Sequence, residues 1–548
     1  MLLLHSELSY TCEDTYYTFD FRRRTQGTGI AVSQTLEHGR LKVVLHAERP
    51  CVLDMVKMTF SYPFDDKTRI FLNGYQSWTD SFEHRIHDRM PGLSRVPTYL
   101  QKRYLSSQYG DYNFTEYGKR PGQMHGFTYA YLRQDKQYTL IGSVSERQGF
   151  TIIRTDTVHG IVTVEKECSG VVIEGDYPVF DLCIFRGSEE QVFDAYFAAM
   201  DIPKCTAKPI VGYTSWYHHY QNITQNLILR NLASLAHSEV KADVFQVDDG
   251  YQSFVGDWLS VHPKKFPGGM EIIARSITRQ GMIPGLWLAP FVCEAESRLF
   301  AEHPDWILRD ENGEMVKGGC NWSGFYALDF YHPQVQAYLR EVFRVVTQEW
   351  GFKLLKLDFL YAVCLLPRKD KTRGQIMCEA MDFLRECAGD ALILGCGVPL
   401  GAAFGKVDYC RVGPDVTLDW DNTPLKRLLH RERDSTKNTI LNSVYRRQLN
   451  GRAFINDPDV FLLRKENTTL TAHQKTWLSK INAVCGGVLL TSDEIGRYNE
   501  NQMEALQELL AMRGCHVLSA EQMKDKLVVC CEKDYEVHSI VIPLSGKA

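Results

Sequence analysis

Short stretches that alternate apolar and polar residues run through the first part of the chain, as in Leu41-Lys42-Val43-Val44-Leu45-His46 and Gly160-Ile161-Val162-Thr163-Val164-Glu165. A period of two puts one set of side chains on each face of a strand, and the turn residues between such stretches argue for many short strands. This predicts an all-β region over residues 1–190. A helical stretch from Glu189 to Met200, followed by Ile202-Pro203-Lys204 and Lys208-Pro209, marks a linker over residues 191–208. From there apolar runs alternate with helical patterns, the signature of parallel βα units. Eight such runs occur: Ile210 to Trp216, Val244 to Val247, Met282 to Leu288, Leu354 to Phe359, Ala391 to Leu394, Tyr409 to Val412, Ala453 to Asn456 and Val488 to Thr491. Eight strands over residues 209–500 predict a (β/α)8 TIM barrel. Helices over Pro333 to Glu349, opened by a proline suited to a first turn, and over Gly374 to Cys387 fit between them. Residues 501–548 hold a last helix, Gln502 to Met512, and two strands, Leu527 to Cys530 and His538 to Ile542, which predict a short C-terminal antiparallel β domain.

Composition narrows the function classes. The chain has 548 residues, 44% of them hydrophobic and 24% charged, as in ordinary soluble proteins and unlike disordered ones. Its 62 Lys and Arg against 67 Asp and Glu leave a formal charge of -5, which offers no broad cationic surface for phosphates and argues against a nucleic-acid partner. No apolar run is long enough for a membrane span, and the start, Met1-Leu2-Leu3-Leu4-His5, lacks the pattern of a secretory signal, so a cytoplasmic protein is expected. Sixteen scattered cysteines without a CxxC pair read as reduced, mostly buried thiols. Homo-oligomer formation is left open.

In a barrel of this kind the active site is built at the C-terminal strand ends, so polar residues there are informative. Strand two ends in Asp248-Asp249-Gly250, strand three contains Trp287, and strand four ends in Lys356-Leu357-Asp358-Phe359. Strand five leads into Gly395-Cys396-Gly397, strand six into Arg411-Val412-Gly413-Pro414-Asp415, and strand seven ends in Asn456-Asp457. Lys356 and Asp358, two apart on a strand, leave the same face, and the ammonium is expected to favour the ionised carboxylate. A structural ion pair uses the same geometry, and a Schiff-base lysine is a third reading, which the adjacent carboxylate opposes. Asp415 follows a Gly-Pro turn that can aim it into the barrel mouth, or else it caps a turn or helix. Asp248-Asp249 resembles a metal pair, but no His or Glu at useful spacing accompanies it. His218 and His219 are read as strand neighbours pointing opposite ways, so no metal or other cofactor is expected. As sugar-hydroxyl acceptors the two aspartates need no such companions. Trp216, Trp287, Trp322 and, from the β region, Trp78 stand near these acids in the pattern. A sugar presents an apolar C–H face to such a ring and hydroxyls to carboxylates.

Taken together, Thr214-Ser215-Trp216-Tyr217-His218-His219-Tyr220, Phe245-Gln246-Val247-Asp248-Asp249-Gly250-Tyr251, Gly256-Asp257-Trp258, Pro284-Gly285-Leu286-Trp287-Leu288-Ala289-Pro290 and His303-Pro304-Asp305-Trp306 resemble the α-galactosidases of glycoside hydrolase family thirty-six. So do Leu355-Lys356-Leu357-Asp358-Phe359-Leu360, Ile393 to Leu400, Arg411 to Asp415 and Asn456-Asp457-Pro458-Asp459, and the match is nearest to the compact bacterial branch. The resemblance covers roughly residues 70 to 495 and departs at Val416 to Asp419 and in the short C-terminal region. It implies an N-terminal β-supersandwich before the barrel and a retaining mechanism, with Asp358 at the position of the nucleophile and Asp415 at that of the acid/base. It also implies that Asp248, Asp249, Lys356, Cys396, Arg411, Trp216, Trp287 and Trp78 line a galactose pocket, with Asp248 and Asp249 on the 4- and 6-hydroxyls. The substrate implied is a small galactoside of melibiose or raffinose type. An α-N-acetylgalactosaminidase, a galactosyl transferase and an inactive carbohydrate-binding protein are the alternatives.

Overall fold

A computed structural model describes residues 1–368, 370–421 and 430–547. Its N-terminal part is one antiparallel network of 13 strands. Two long strands, Arg40–Ser61 and Val172–Gly187, pair with each other and hold the network together. Alternation along them sends Val43, Leu45, Val56 and Met58 into a core shared with Leu8, Val164 and Leu182, all fully or nearly fully buried. Other strands of the network carry Phe71, Tyr129 and Tyr131, which belong, with Phe193 and Tyr196 of the helix that follows, to the same continuous core as the barrel. The β region and the barrel are therefore packed as one body of apolar side chains.

A helix at Glu189–Ala199, started by a Ser188/Gln191 capping box, leads to the second sheet. This sheet is parallel throughout and has nine strands by hydrogen bonding. Its order runs from Ile455–Asp457 through Tyr409–Arg411, Leu392–Gly395, Leu354–Leu357, Ile283–Leu288, Val244–Val247, Ile210–Thr214 and Val488–Thr491 to Val460–Phe461. The two end strands are halves of one segment, interrupted at Pro458-Asp459, where Asp459 has φ 73°. The eight predicted barrel strands are present, and the seventh is split: its first half pairs with strand six and its second with strand eight. Proline removes a ladder donor, so the break falls where the sequence demands it.

Several expected limits move. Strand one stops at Thr214, and Trp216–His219 forms a single helical turn, so His218 and His219 are not strand neighbours. Their rings lie nearly parallel, with centroids 4.2 Å apart. Strand four stops at Leu357, and Phe359 takes the left-handed conformation at φ 53°, which turns the chain out of the sheet at Asp358. The helix from Pro333 ends at Arg344 and continues as a π turn, Val345–Glu349. The C-terminal sheet has three strands, His516–Gln522, Lys526–Lys533 and Glu536–Pro543, one more than expected. A further small sheet, Val292–Glu294, Lys317–Gly319 and Phe325–Ala327, follows strand three and was not foreseen. Among the described residues no helix is long and apolar enough to cross a membrane.

Candidate active site

The C-terminal ends of the barrel strands open into a cavity of ≈ 730 Å³. Nine residues singled out from the sequence line it: Trp78, Trp216, Asp248, Asp249, Trp287, Trp322, Lys356, Asp358 and Asp415. Cys396 and Arg411 are fully buried and hold lining residues in place. The acids that sequence places 57 residues apart by number, Asp358 and Asp415, thus face one space.

Asp358 sits where strand four ends. One carboxyl oxygen accepts the Trp287 indole N–H at 3.0 Å and the other accepts its neighbour's backbone N–H, from Phe359, at 2.9 Å. Burial pushes this carboxyl above its ordinary value, Asp415 adds to the push, and Lys356 opposes it without prevailing. The expected effect of Lys356 is present in sign but smaller than desolvation. The reason is that Lys356 Nζ is committed to Asp248, at 2.8 Å. Burial works against the lysine's charge, yet Asp248 and then Asp358 hold its pKa above the usual range. Such a lysine stays protonated, which disfavours the Schiff-base reading.

Asp248 also accepts the Gln246 amide at 2.9 Å, and its backbone N–H donates to Ser215 Oγ at 2.9 Å. Asp249 is held by three donors: Gln221 at 2.8 Å, Trp322 at 3.0 Å and, three residues on in its own loop, Gln252 at 2.5 Å. Burial still raises its pKa. Trp322 reaches Asp249 from the unforeseen small sheet, in a left-handed turn at φ 51° and ψ 42°. A tryptophan rarely adopts that conformation, so tertiary contacts impose it. Nothing in the local pattern marks Trp322 or Gln221 as partners of Asp249, because both arrive from distant parts of the chain.

Asp415 is one-third exposed at the cavity wall and accepts a hydrogen bond from Arg411 Nη1 at 2.6 Å. The same guanidinium meets Asp457 at 3.3 Å and Asp459 at 2.9 Å. Three carboxylates around one cation leave excess negative charge in a buried place, and burial first, with Asp415 and Asp457, pushes Asp459 to about 7. Asp459 in turn accepts the Tyr217 hydroxyl and the Val416 backbone N–H. The turn carrying Asp415 is thereby tied to strand seven and to the helical turn after strand one.

Trp78 enters from the β region and donates its indole N–H to Cys396 Sγ at 3.3 Å. Gly397, at φ 60°, lies beneath its ring; a Cβ there would come within 2.9 Å of Trp78 Cζ2, so both backbone and space require glycine. The Trp78 loop is fixed by Arg446, a fully buried barrel residue whose guanidinium donates to Asn73 Oδ1 and to the carbonyls of Ser77, Val412 and Gln76. Without a carboxylate partner, burial lowers the Arg446 pKa to about 10. These bonds hold a wall of the cavity that belongs to a different part of the chain.

Residues 203–377 match the Melibiase family. Over 198 residues the chain is 28% identical to the A type blood alpha-D-galactosamine galactosaminidase of Flavonifractor plautii, a match covering 32% of this chain and 18% of that protein. Over 151 residues it is 27% identical to alpha-galactosidase AgaA of Geobacillus stearothermophilus, covering 26% of this chain and 20% of that protein. The matched segments thus span a fifth or less of these relatives' length. Among solved structures, TtGalA, an alpha-galactosidase from Thermus thermophilus in complex with p-nitrophenyl alpha-D-galactopyranoside, is similar with a TM-score of 0.73 at 27% identity over 97% of this chain and 98% of that chain. Its complex with stachyose gives 0.70 at 29% identity, over 88% and 99%. The GH36 AgaA structure shares the fold at 13% identity, with a TM-score of 0.63 over 96% and 79%. Residues 203–377 thus match the Melibiase family, and the chain as a whole shares the fold of the GH36 α-galactosidase structures.

Proposed function

We propose that this protein is a retaining α-galactosidase that removes terminal α-linked galactose from small galactosides. The observation that carries the reading is the convergence of Asp358 and Asp415 on one cavity beside Asp248, Asp249 and Lys356. Its similarity to a Thermus thermophilus enzyme captured with an aryl galactoside and with stachyose supports the substrate class. In the proposed reaction the Asp358 carboxylate attacks C1 from the face opposite the leaving group, and the C1–O bond breaks as Asp415 protonates the departing oxygen. The result is a β-linked galactosyl-enzyme. Water, giving its proton to Asp415, then attacks C1 and displaces Asp358, so the product is α-galactose. Retaining enzymes place the two carboxyls ~5–5.5 Å apart across the ring. Asp248 and Asp249, braced by Lys356 and by the Gln221, Gln252 and Trp322 donors, would accept the sugar hydroxyls, while Trp78, Trp216 and Trp287 supply apolar faces.

The division into residues 1–190, 191–208, 209–500 and 501–548 belongs to the same proposal. So does a cytoplasmic setting, which the sixteen cysteines, each without a disulfide partner, suit.

The test is hydrolysis of an aryl α-galactoside, followed by proton NMR of the first-formed sugar. The α anomer is expected. A β product would replace retention with inversion, and absence of turnover would leave a binding protein. The galactosaminidase relative motivates a second arm with 2-amino and 2-acetamido aryl glycosides. Faster turnover of either would reassign the substrate and keep the acids.

A pH prediction follows from the Asp358 environment. Asp358 must be ionised to attack, and its pKa is raised, so the acid limb of kcat/KM is expected above the ordinary carboxylate range. Lys356→Met removes a cation that lowers this pKa and should move the limb further up. A limb that stays in place in the pH profile of that variant would separate Lys356 from the titrating group.

A further inference from the structure

The adjacent histidines of the turn after strand one have no place in the reaction above, yet their surroundings are unusual. His218, His219 and Glu494 present ligand atoms that all lie within 4.8 Å of one another. Glu494 follows strand eight, so the three residues join two neighbouring strand ends of the barrel rim. His218 Nδ1 and His219 Nε2 are buried and have no hydrogen-bond partner among the described residues. An orphaned buried ring nitrogen costs about 1–3 kcal/mol, and two in one corner ask for a ligand. The imidazole rings are stacked nearly parallel and are not fixed by opposing bonds at those nitrogens.

We propose that His218, His219 and Glu494 form a binding site for a divalent transition-metal ion, best suited to Zn²⁺, that ties the turn after strand one to the loop after strand eight. Two imidazoles and one carboxylate are a known donor set for that ion, with ligand distances of about 2.0–2.2 Å and a fourth position left to water. Donor atoms within 4.8 Å need only small side-chain rotations to reach that shell. The electrostatics allow it. Burial lowers the pKa of both histidines, His219 to about 4, so their lone pairs are available at neutral pH. Arg464, a cation that acts on both histidines, is paired with Asp493 at 2.6 Å, both buried. Arg497 meets the other oxygen of Glu494 at 2.6 Å but is 70% exposed and can swing away. His219 and Glu494 keep some exposure, which gives the ion a way in.

The consequence reaches the cavity. The same turn carries Trp216, and Gln221 just beyond it donates to Asp249. A bound ion would stiffen that wall without touching the sugar.

The test uses the full-length protein stripped by a chelator and titrated with Zn²⁺, with bound metal counted after dialysis and Co²⁺ used as a spectroscopic probe. One ion per chain is expected, with a Kd in the micromolar range or tighter and a rise in Tm of a few °C. His219→Ala should weaken binding about 100-fold, and the isosteric Glu494→Gln about 10-fold or more. Glu494→Gln keeps the test sound if the histidine variant folds poorly. No stoichiometric uptake, or uptake unchanged in Glu494→Gln with a Co²⁺–thiolate band that assigns it to cysteine, overturns the proposal.

Discussion

Replacing Asp358 by alanine is expected to lower kcat by a factor on the order of 10⁵, with the fold intact. The carboxylate is the group proposed to bond to C1, and its two oxygens are aimed by the Trp287 indole and the Phe359 backbone N–H. Of the neighbouring carboxylates, Asp415 is the proposed acid/base, and Asp248 is committed to Lys356. Stereochemistry sharpens the test. Azide added to Asp358→Ala would occupy the space vacated by the carboxylate and attack from the same face, giving a β-galactosyl azide. An active Asp358→Ala enzyme without azide would remove Asp358 from the role. The same residue carries a stability consequence with a definite sign. Its folded pKa is raised, so the folded state binds more protons than the unfolded state between the two values, and the contribution it makes is lost as pH rises through the folded pKa. The uncharged, isosteric Asp358→Asn should therefore melt above the wild type at pH 8 and lose that advantage in acid. A Tm difference independent of pH would contradict the raised pKa.

Asp415→Ala should divide substrates by their leaving groups. An aryl galactoside with a good leaving group needs little protonation, so its first step is spared, whereas raffinose-type substrates should slow by about 10²–10⁴. Release of the galactosyl-enzyme then limits turnover, because water has lost its base. Azide needs none, and it attacks the β-linked intermediate from the opposite face, so this variant should yield an α-galactosyl azide. The two variants thus give opposite anomers with one reagent, which assigns the two carboxylates independently of rate. Equal losses on both substrate types, or a β-azide from Asp415→Ala, would count against the acid/base role. The hydrogen bond from Arg411 bears on this residue as well: it holds the carboxyl in a defined place while Asp457 and Asp459 share the cation's charge.

Particular residues show how far the linear chain could be read. Strand-end polar residues were legible because a barrel strand that is apolar along its length and then ends in Asp248-Asp249 or Lys356-Leu357-Asp358 has no buried use for those charges except at the mouth. The helix starting at Arg373 begins after a Thr372/Gln375 capping box, a local event set by side-chain chemistry three residues apart that the reading of Gly374 to Cys387 did not use. Trp322 was visible only as one aromatic among several, and its partner Asp249 only as a carboxylate. The hydrogen bond between them spans 73 residues and depends on a loop sheet with no strong periodicity. Lys356 was assigned to the wrong first partner, because an i, i+2 argument sees the neighbour on its own strand and not the acid on the strand beside it. The two histidines were misread for a similar reason: strand geometry separates consecutive side chains, whereas a helical turn lets their rings stack.

What the sequence determined by itself was the set of local choices: alternation made strands, caps opened helices, Pro458 broke the seventh barrel strand, and glycine at 397 left room for a ring. These depend on sterics and hydrogen bonds within a few residues. Tertiary structure alone decided which distant groups share a cavity, which carboxylate Lys356 neutralises, and how far burial outweighs that lysine at Asp358. Desolvation and charge pairing act through space and grow as water is excluded, so their balance exists only once the β region, held by Arg446, closes Trp78 over the barrel mouth.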